Sequence, residues 1–399
     1  MTDKKLTKIV ATVSDRRCDS EFIQSIIDAG VNVVRLNTAH QSPQDSVRVV
    51  AAVRAVSDTI AILVDTKGPE VRVRGLVDAL ELKAGDTVTI PKVDQLRKGF
   101  DVSYASFVDE VPVGAHILMD DGSIELAVRN KANGMLLCEA QNDGVLKNSK
   151  SVNVPNVSLN VPSLSDKDRA YLKFVADNAI DFVAHSFVRD KEDVLEVRRI
   201  LDGYGSKARI IAKIENARGV TNLPEILDIA DGIMVARGDL GVEIPMERIP
   251  GIQKHIIDLC VRKGKPVITA TQMLHTMMEN PRPTRAEVSD VANAVFDGTD
   301  ALMLSGETAS GKYPLESVQV MARIAAQAES QKPRKAHLDS EASPNQVRTF
   351  LARSAAESAF RLPIKAIIAD TETGRIARIL STYRCHVPIF AFSPQLTTV

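Results

Sequence analysis

The chain has 399 residues, 44% of them hydrophobic and 25% charged, enough for a large core divided over two or three domains. Its 50 basic and 51 acidic side chains cancel, which removes the global positive field of a nucleic-acid binder and leaves anion binding to local clusters. No apolar stretch approaches the roughly 20 residues of a membrane helix, and the start shows no signal-type segment. Cys18, Cys138, Cys260 and Cys385 share no ligand spacing. A cytoplasmic protein with reduced, inert thiols and no membrane or nucleic-acid partner is therefore expected.

Apolar strand-like runs recur at 8–13, 31–37 and 61–66, and again at 181–188, 209–215, 232–238, 266–272 and 301–306. Most are followed by helical periodicity, such as 21–29 after the first run and 252–262 after the sixth. Eight near-continuous apolar strands alternating with helices predict an α/β fold, the TIM (β/α)8 barrel. A doubly wound open sheet is the alternative, but no GxGxxG follows the first strand. Between the third and fourth strands the period changes to short alternating runs, such as Leu80-Glu81-Leu82-Lys83, separated by Gly/Asp turns. That pattern predicts a small all-β lid domain inserted over the catalytic face. A polar linker follows at 332–345, then a helix at 348–361, a strand at 364–369, a second helix and a strand at 388–392. The expected division is barrel at 1–70 and 157–330, lid at 71–156, and a truncated C-terminal α/β domain at 345–399.

In such a barrel the functional groups sit where strands end. Those ends read Arg35 and Asn37; Asp65, Thr66 and Lys67; Ser186; Lys213 and Glu215; Gly238 and Asp239; Thr269 and Thr271; Ser305 and Glu307. Strand alternation would put Lys213 and Glu215 on one face, and likewise Arg237 and Asp239. Two carboxylates, a lysine and a glycine-opened backbone suit a metal-bound, multiply anionic substrate. The segment Gly306-x4-Gly311-Lys312 mimics a phosphate-binding P-loop, but Tyr313 stands where a metal-binding Ser or Thr is needed.

The chain resembles the pyruvate kinase family over nearly its whole length. The likeness rests on Asp65-Thr66-Lys67-Gly68-Pro69-Glu70-Val71-Arg72, Lys213-Ile214-Glu215-Asn216, Met234 to Gly241 and Ala270-Thr271-Gln272-Met273-Leu274. Pro281-Arg282-Pro283-Thr284-Arg285-Ala286-Glu287 and Leu304-Ser305-Gly306-Glu307-Thr308 extend it. The resemblance implies transfer of phosphate from phosphoenolpyruvate to ADP, giving pyruvate and ATP, the last step of glycolysis. It implies Mg²⁺ (or Mn²⁺) on Glu215 and Asp239, and K⁺ on Asn37, Asp65 and Thr66. Arg35, Lys213, Gly238, Asp239 and Thr271 would bind substrate, with Lys213 stabilising the transition state. Thr271, Ser305 and Glu307 would relay a proton to the enolate through water. Asn37, His40, Arg72 and Lys150 would meet the nucleotide. A homo-oligomer, specifically a tetramer, is the assembly implied.

Taken without the resemblance, the residues also admit a Mg²⁺-dependent lyase acting on pyruvate or oxaloacetate enolates, or an inactive paralogue. The inserted β domain favours the kinase. Three positions depart from the family pattern. Ser14-Asp15-Arg16-Arg17 replaces the usual Gly-Pro after the first strand, and Ala39 replaces a serine that lends its hydroxyl to K⁺, although Glu70, which accompanies K⁺ dependence, is present. Thr371-Glu372-Thr373-Gly374-Arg375 resembles an effector phosphate turn, but Ile376 follows in place of serine.

Overall fold

The computed structural model describes residues 5–92, 100–332 and 346–395. Eight parallel strands close into a barrel in chain order: Lys8–Thr12, Val33–Asn37, Ala61–Asp65, Phe182–His185, Arg209–Ile214, Gly232–Ala236, Val267–Ala270 and Ala301–Leu304. The first pairs with the eighth through Lys8↔Ala301 to Ala11↔Leu304. Both faces of each strand are buried, which is why these runs lack polar alternation. Val10, Leu63, Ile211, Met234 and Met303 fill the interior, while Ile9, Val64, Val183, Ile210 and Leu302 face the helices.

Helix starts are marked by local chemistry. Asp19 caps Ser20–Asp28. Ser42 with Asp45, Ser165 with Asp168 and Thr284 with Glu287 form capping boxes on Pro43–Val56, Asp166–Asp177 and Arg285–Asp297. Asp168 does more than cap. Its Oδ2 accepts from the Ser165 amide and hydroxyl, while Oδ1 accepts the Lys67 amide at 2.8 Å, tying this helix to the loop that leaves the third strand.

Four expected strands end two or three residues early, at His185, Ala236, Ala270 and Leu304. Residues 237 and 238 lie in the helix Arg237–Glu243, and Thr271 and Gln272 lie beyond Ala270 with φ of 73° and 55°. Arg237 and Asp239 consequently do not share a strand face, contrary to the expectation from alternation. A strand terminates at the barrel rim because no neighbour continues the ladder: the last pairing there is Ala236↔Ala270.

The insertion holds an antiparallel five-stranded sheet, ordered Val152–Asn153, His116–Met119, Ile124–Ala132, Met135–Ala140 and Thr87–Pro91. Leu80–Leu82 pairs with Gly144–Leu146, and Val73–Arg74 with Asp101–Val102. All share one apolar core that includes Phe100, Phe107, Ile117 and Leu126. Near the C-terminus, helix Gln346–Arg361, strand Ile367–Asp370, helix Arg375–Thr382 and strand Ile389–Phe392 form a parallel strand pair with its own small core. Ile367 and Ala369 are buried; Ile368, Phe390 and Phe392 are exposed. Arg384 docks this unit on the bottom of the barrel through Asp300 (Nε to Oδ1, 2.9 Å), which also accepts the Val267 amide. From residue 333 on, the expected linker lies outside the described residues.

Replacing Asp168 with Ala removes a cap and orphans the Lys67 amide, so unfolding in urea should show a loss of about 2–4 kcal/mol. An Asp168→Ala protein with unchanged midpoint and slope would contradict this linkage.

Candidate active site

The barrel mouth is organised as a ladder of alternating charge. Arg35 on the second strand donates from Nε to Asp65 Oδ2 at 2.7 Å and from Nη1 to Thr12 Oγ1 at 2.9 Å. Asp65 ends the third strand and meets Lys213 Nζ with its other oxygen at 3.0 Å. Lys213, on the fifth strand, also lies 3.0 Å from Glu215 Oε1 and donates to Ser186 Oγ at 2.7 Å. All four charged groups are buried, Asp65 and Glu215 at 1% exposure. Burial alone would raise the Asp65 carboxyl, but the Arg35 and Lys213 charges outweigh it and hold it below the ordinary carboxylate range. Burial disfavours the Lys213 charge, yet Asp65 and Glu215 more than offset that and keep it protonated well above the usual lysine range. Glu215 is the exception. Burial, reinforced by Asp239 and Asp65 against the opposing pull of Lys213, pushes its carboxyl up to about 8.

Ser186 links the third and fourth strand ends to this ladder: its hydroxyl reaches the Thr66 carbonyl at 2.7 Å. The next residue, Phe187, takes φ of 56° and donates its amide to Glu215 Oε2 at 2.6 Å. Gly68 makes this approach feasible. It has φ of 73°, and an added Cβ would stand 2.8 Å from both Ser186 Cβ and Phe187 Cδ2.

The sixth and seventh strand ends interlock in a similar way. Gly238, in the first turn of Arg237–Glu243, has no room for a side chain, since an added Cβ would meet Thr271 Cγ2 at 2.8 Å. Ala236 caps this helix without a side-chain hydrogen bond, so the first-turn amides have no side-chain acceptor there. Thr271 is β-branched yet left-handed, a conformation that costs about 1–3 kcal/mol and clusters at functional sites. Its hydroxyl, like that of Ser305, makes no hydrogen bond among the described residues, whereas Glu307 is fully engaged. Glu307 accepts the Ser305 amide at 2.8 Å and the Leu274 amide at 3.2 Å, pinning the loops after strands seven and eight together.

The four expected nucleotide contacts fall into two pairs. Asn37 ends the second strand and exposed His40 follows it; Asn37 Oδ1 accepts the Ala39 amide at 3.1 Å. Arg72 and Lys150 sit at the base of the insertion, where Val73 N donates to the Lys150 carbonyl. Arg72 is held by Glu70 (2.6 and 3.1 Å) and Lys150 by Asp120 (2.7 Å). No bond joins the two pairs among the described residues. A cavity of about 610 Å³ opens between the insertion and the barrel, reaching from Arg72 and Val154 to Phe187, Asn216, Asp239 and Glu243. In the P-loop mimic, Lys312 pairs with Glu279, and the residues between the two glycines coil into a short helix, Gly306–Ala309, where a phosphate-binding loop would be open.

Residues 4–318 match the family model described as pyruvate kinase, barrel domain, and residues 350–399 match pyruvate kinase, alpha/beta domain. The chain is 49% identical to a protein named pyruvate kinase from Borreliella burgdorferi, an overlap covering 97% of this chain and 82% of that one. Against pyruvate kinases of Staphylococcus saprophyticus and Staphylococcus aureus the identities are 46% and 45%, covering 98% of this chain and 69% of theirs. The chain belongs to the pyruvate kinase family. It is accordingly a phosphotransferase. No helix among the described residues is long and apolar enough to cross a membrane.

A pyruvate kinase works with a divalent ion and K⁺, and the donors here suit both. No group of three metal-ligating side chains exists among the described residues. Two carboxylates, Glu215 and Asp239, would suit an ion such as Mg²⁺, which retains waters and shares substrate oxygens. Burial first, and then the negative charges of Asp239 and Asp65, raise the proton affinity of Glu215, and a cation there would offset those charges. For K⁺, Asn37 pairs in register with Asp65, and Thr66 follows, bringing three oxygen donors to neighbouring strand ends. Ala39 adds no side-chain oxygen, while the buried Thr38 hydroxyl lacks a partner. Sequence reading left two groups without a role, Ser186 and Arg237, although both stood at strand ends. Their bonds cross to other strands and leave no local signal.

Glu215 binds its proton more tightly folded than unfolded. Its contribution to stability is thus complete below about 4.5 and is lost as pH rises through about 8. Metal-free protein should melt at falling temperature over that range, Glu215→Gln should flatten the slope, and Mg²⁺ should stabilise more at pH 8 than at pH 6. Differential scanning calorimetry across pH checks this; identical slopes for the two proteins would contradict it.

Proposed function

We propose that the chain transfers the phosphoryl group of phosphoenolpyruvate to ADP at this barrel mouth, with the expected residues in the expected roles. The carrying observation is the ladder through Asp65, which holds Arg35 and Lys213 side by side, deeply buried and both charged. Arg35 binds the phosphate; Lys213 meets the bridging oxygen and the phosphoryl group in transit, where charge shifts toward the enolate. The P–O bond to the enolate breaks as one forms to the β-phosphate of ADP. Mg²⁺ or Mn²⁺ on Glu215 and Asp239 supplies charge neutralisation when bound. The uncapped amides of Gly238 and Asp239, with the Thr271 hydroxyl, take the substrate carboxylate. Thr271, Ser305 and Glu307 pass a proton through water to C3 of the enolate, and Glu307 also keeps both loops in place. The nucleotide lies toward Asn37, His40, Arg72 and Lys150, and K⁺ toward Asn37, Asp65 and Thr66.

The wider reading is a cytoplasmic homo-oligomer, with the chain divided into barrel (1–70, 157–330), lid (71–156) and C-terminal unit (345–399). The lyase reading fits less well, because nothing in enolate chemistry alone calls for a lysine bonded to two carboxylates beneath a β insertion.

A lactate-dehydrogenase-coupled assay with phosphoenolpyruvate, ADP and Mg²⁺ tests the function. Lys213→Met should lower kcat by about 10²–10³-fold or more with the fold intact, and unchanged turnover would refute its role. Activity should require K⁺, at higher concentration than for an Ala39→Ser variant. Equal rates in K⁺-free and K⁺-saturated buffer would reject the K⁺ assignment.

A further inference from the structure

We infer that Arg237 is a positioning residue for Thr271: its guanidinium, braced by Asp290, holds the left-handed backbone that keeps the Thr271 hydroxyl beside Gly238. The inference rests on the role proposed above for Thr271. A β-branched residue does not take φ of 73° unless its surroundings impose it, and Gln272 follows at 55°. Arg237 supplies the imposing contacts. Its Nε donates to the Ala270 carbonyl at 3.1 Å and Nη2 to the Thr271 carbonyl at 2.7 Å, with Met273 Sδ at 2.8 Å from Nη2. Two consecutive carbonyls in one turn are thus gripped by one rigid fork, a geometry that a lysine ammonium cannot reproduce.

The far side of the same guanidinium is anchored. Nη1 meets Asp290 Oδ1 at 2.8 Å and Gln253 Oε1 at 3.4 Å, so the fork is fixed by helices Arg285–Asp297 and Ile249–Lys263. With all three nitrogens bonded within the protein, Arg237 has no donor group left unengaged for substrate. Its chain neighbour is Gly238, whose missing Cβ admits Thr271 Cγ2. One residue therefore sets the spacing between the carboxylate-binding amides and the Thr271 hydroxyl. Misplacement by about 1 Å at such a site costs on the order of 10²-fold in rate.

A double-mutant cycle in the full chain tests this, with Thr271→Ala, Arg237→Lys and the pair. The readouts are kcat, KM for phosphoenolpyruvate and deuterium uptake at C3 of pyruvate in D₂O with ATP and Mg²⁺. Arg237→Lys should lower kcat and deuterium uptake by about 10–10²-fold with a smaller change in KM, and the double variant should be no worse than Thr271→Ala. Multiplying effects, or an Arg237→Lys enzyme at wild-type rates, would overturn the inference. Full activity of Thr271→Ala would instead overturn the role of Thr271. Should Arg237→Lys not fold, Asp290→Asn replaces it in the cycle, with the same non-additivity expected and additivity again decisive.

Discussion

Asp65 is bonded to both buried cations of the barrel mouth, and the site depends on that sharing. Arg35 and Lys213 arrive from the second and fifth strands, which are not neighbours in the sheet. Two positive charges brought this close under nearly complete burial would repel strongly, because interaction energies grow as water is removed. One carboxylate between them converts repulsion into a fixed spacing. Removing one partner from such a buried pair characteristically costs about 3–5 kcal/mol.

The charges balance only until Glu215 is counted with Asp239. Burial is the main reason Glu215 retains its proton to unusually high pH, and the negative charges of Asp239 and Asp65 add to it against the pull of Lys213. A divalent cation bound there would offset part of this negative charge.

Backbone strain is spent where loops from adjacent strands must cross. Gly68 and Phe187 lie after the third and fourth strands, Thr271 and Gln272 after the seventh, and each takes a positive φ. At two of these crossings a glycine lets the neighbouring loop press in: Gly68 under Ser186 and Phe187, Gly238 against Thr271. These four positions lie just beyond the strand ends at the barrel mouth.

The eight-fold β/α rhythm, the antiparallel insertion, and nearly every charged group of the mouth were legible in the sequence, because burial on both strand faces leaves continuous apolar runs that stop abruptly at polar residues. Strand ends at Arg237 and Thr271 were misplaced because the residues closing each run, Arg237-Gly238 and Thr271-Gln272, were counted into the strand, whereas the ladder stops at Ala236 and Ala270. What only the tertiary structure decided is who bonds to whom. Asp65 between Arg35 and Lys213, Ser186 on the Thr66 carbonyl, Glu307 holding two amides and Arg237 gripping Thr271 are contacts between strands far apart in sequence. Their geometry follows from barrel closure, which no local pattern encodes.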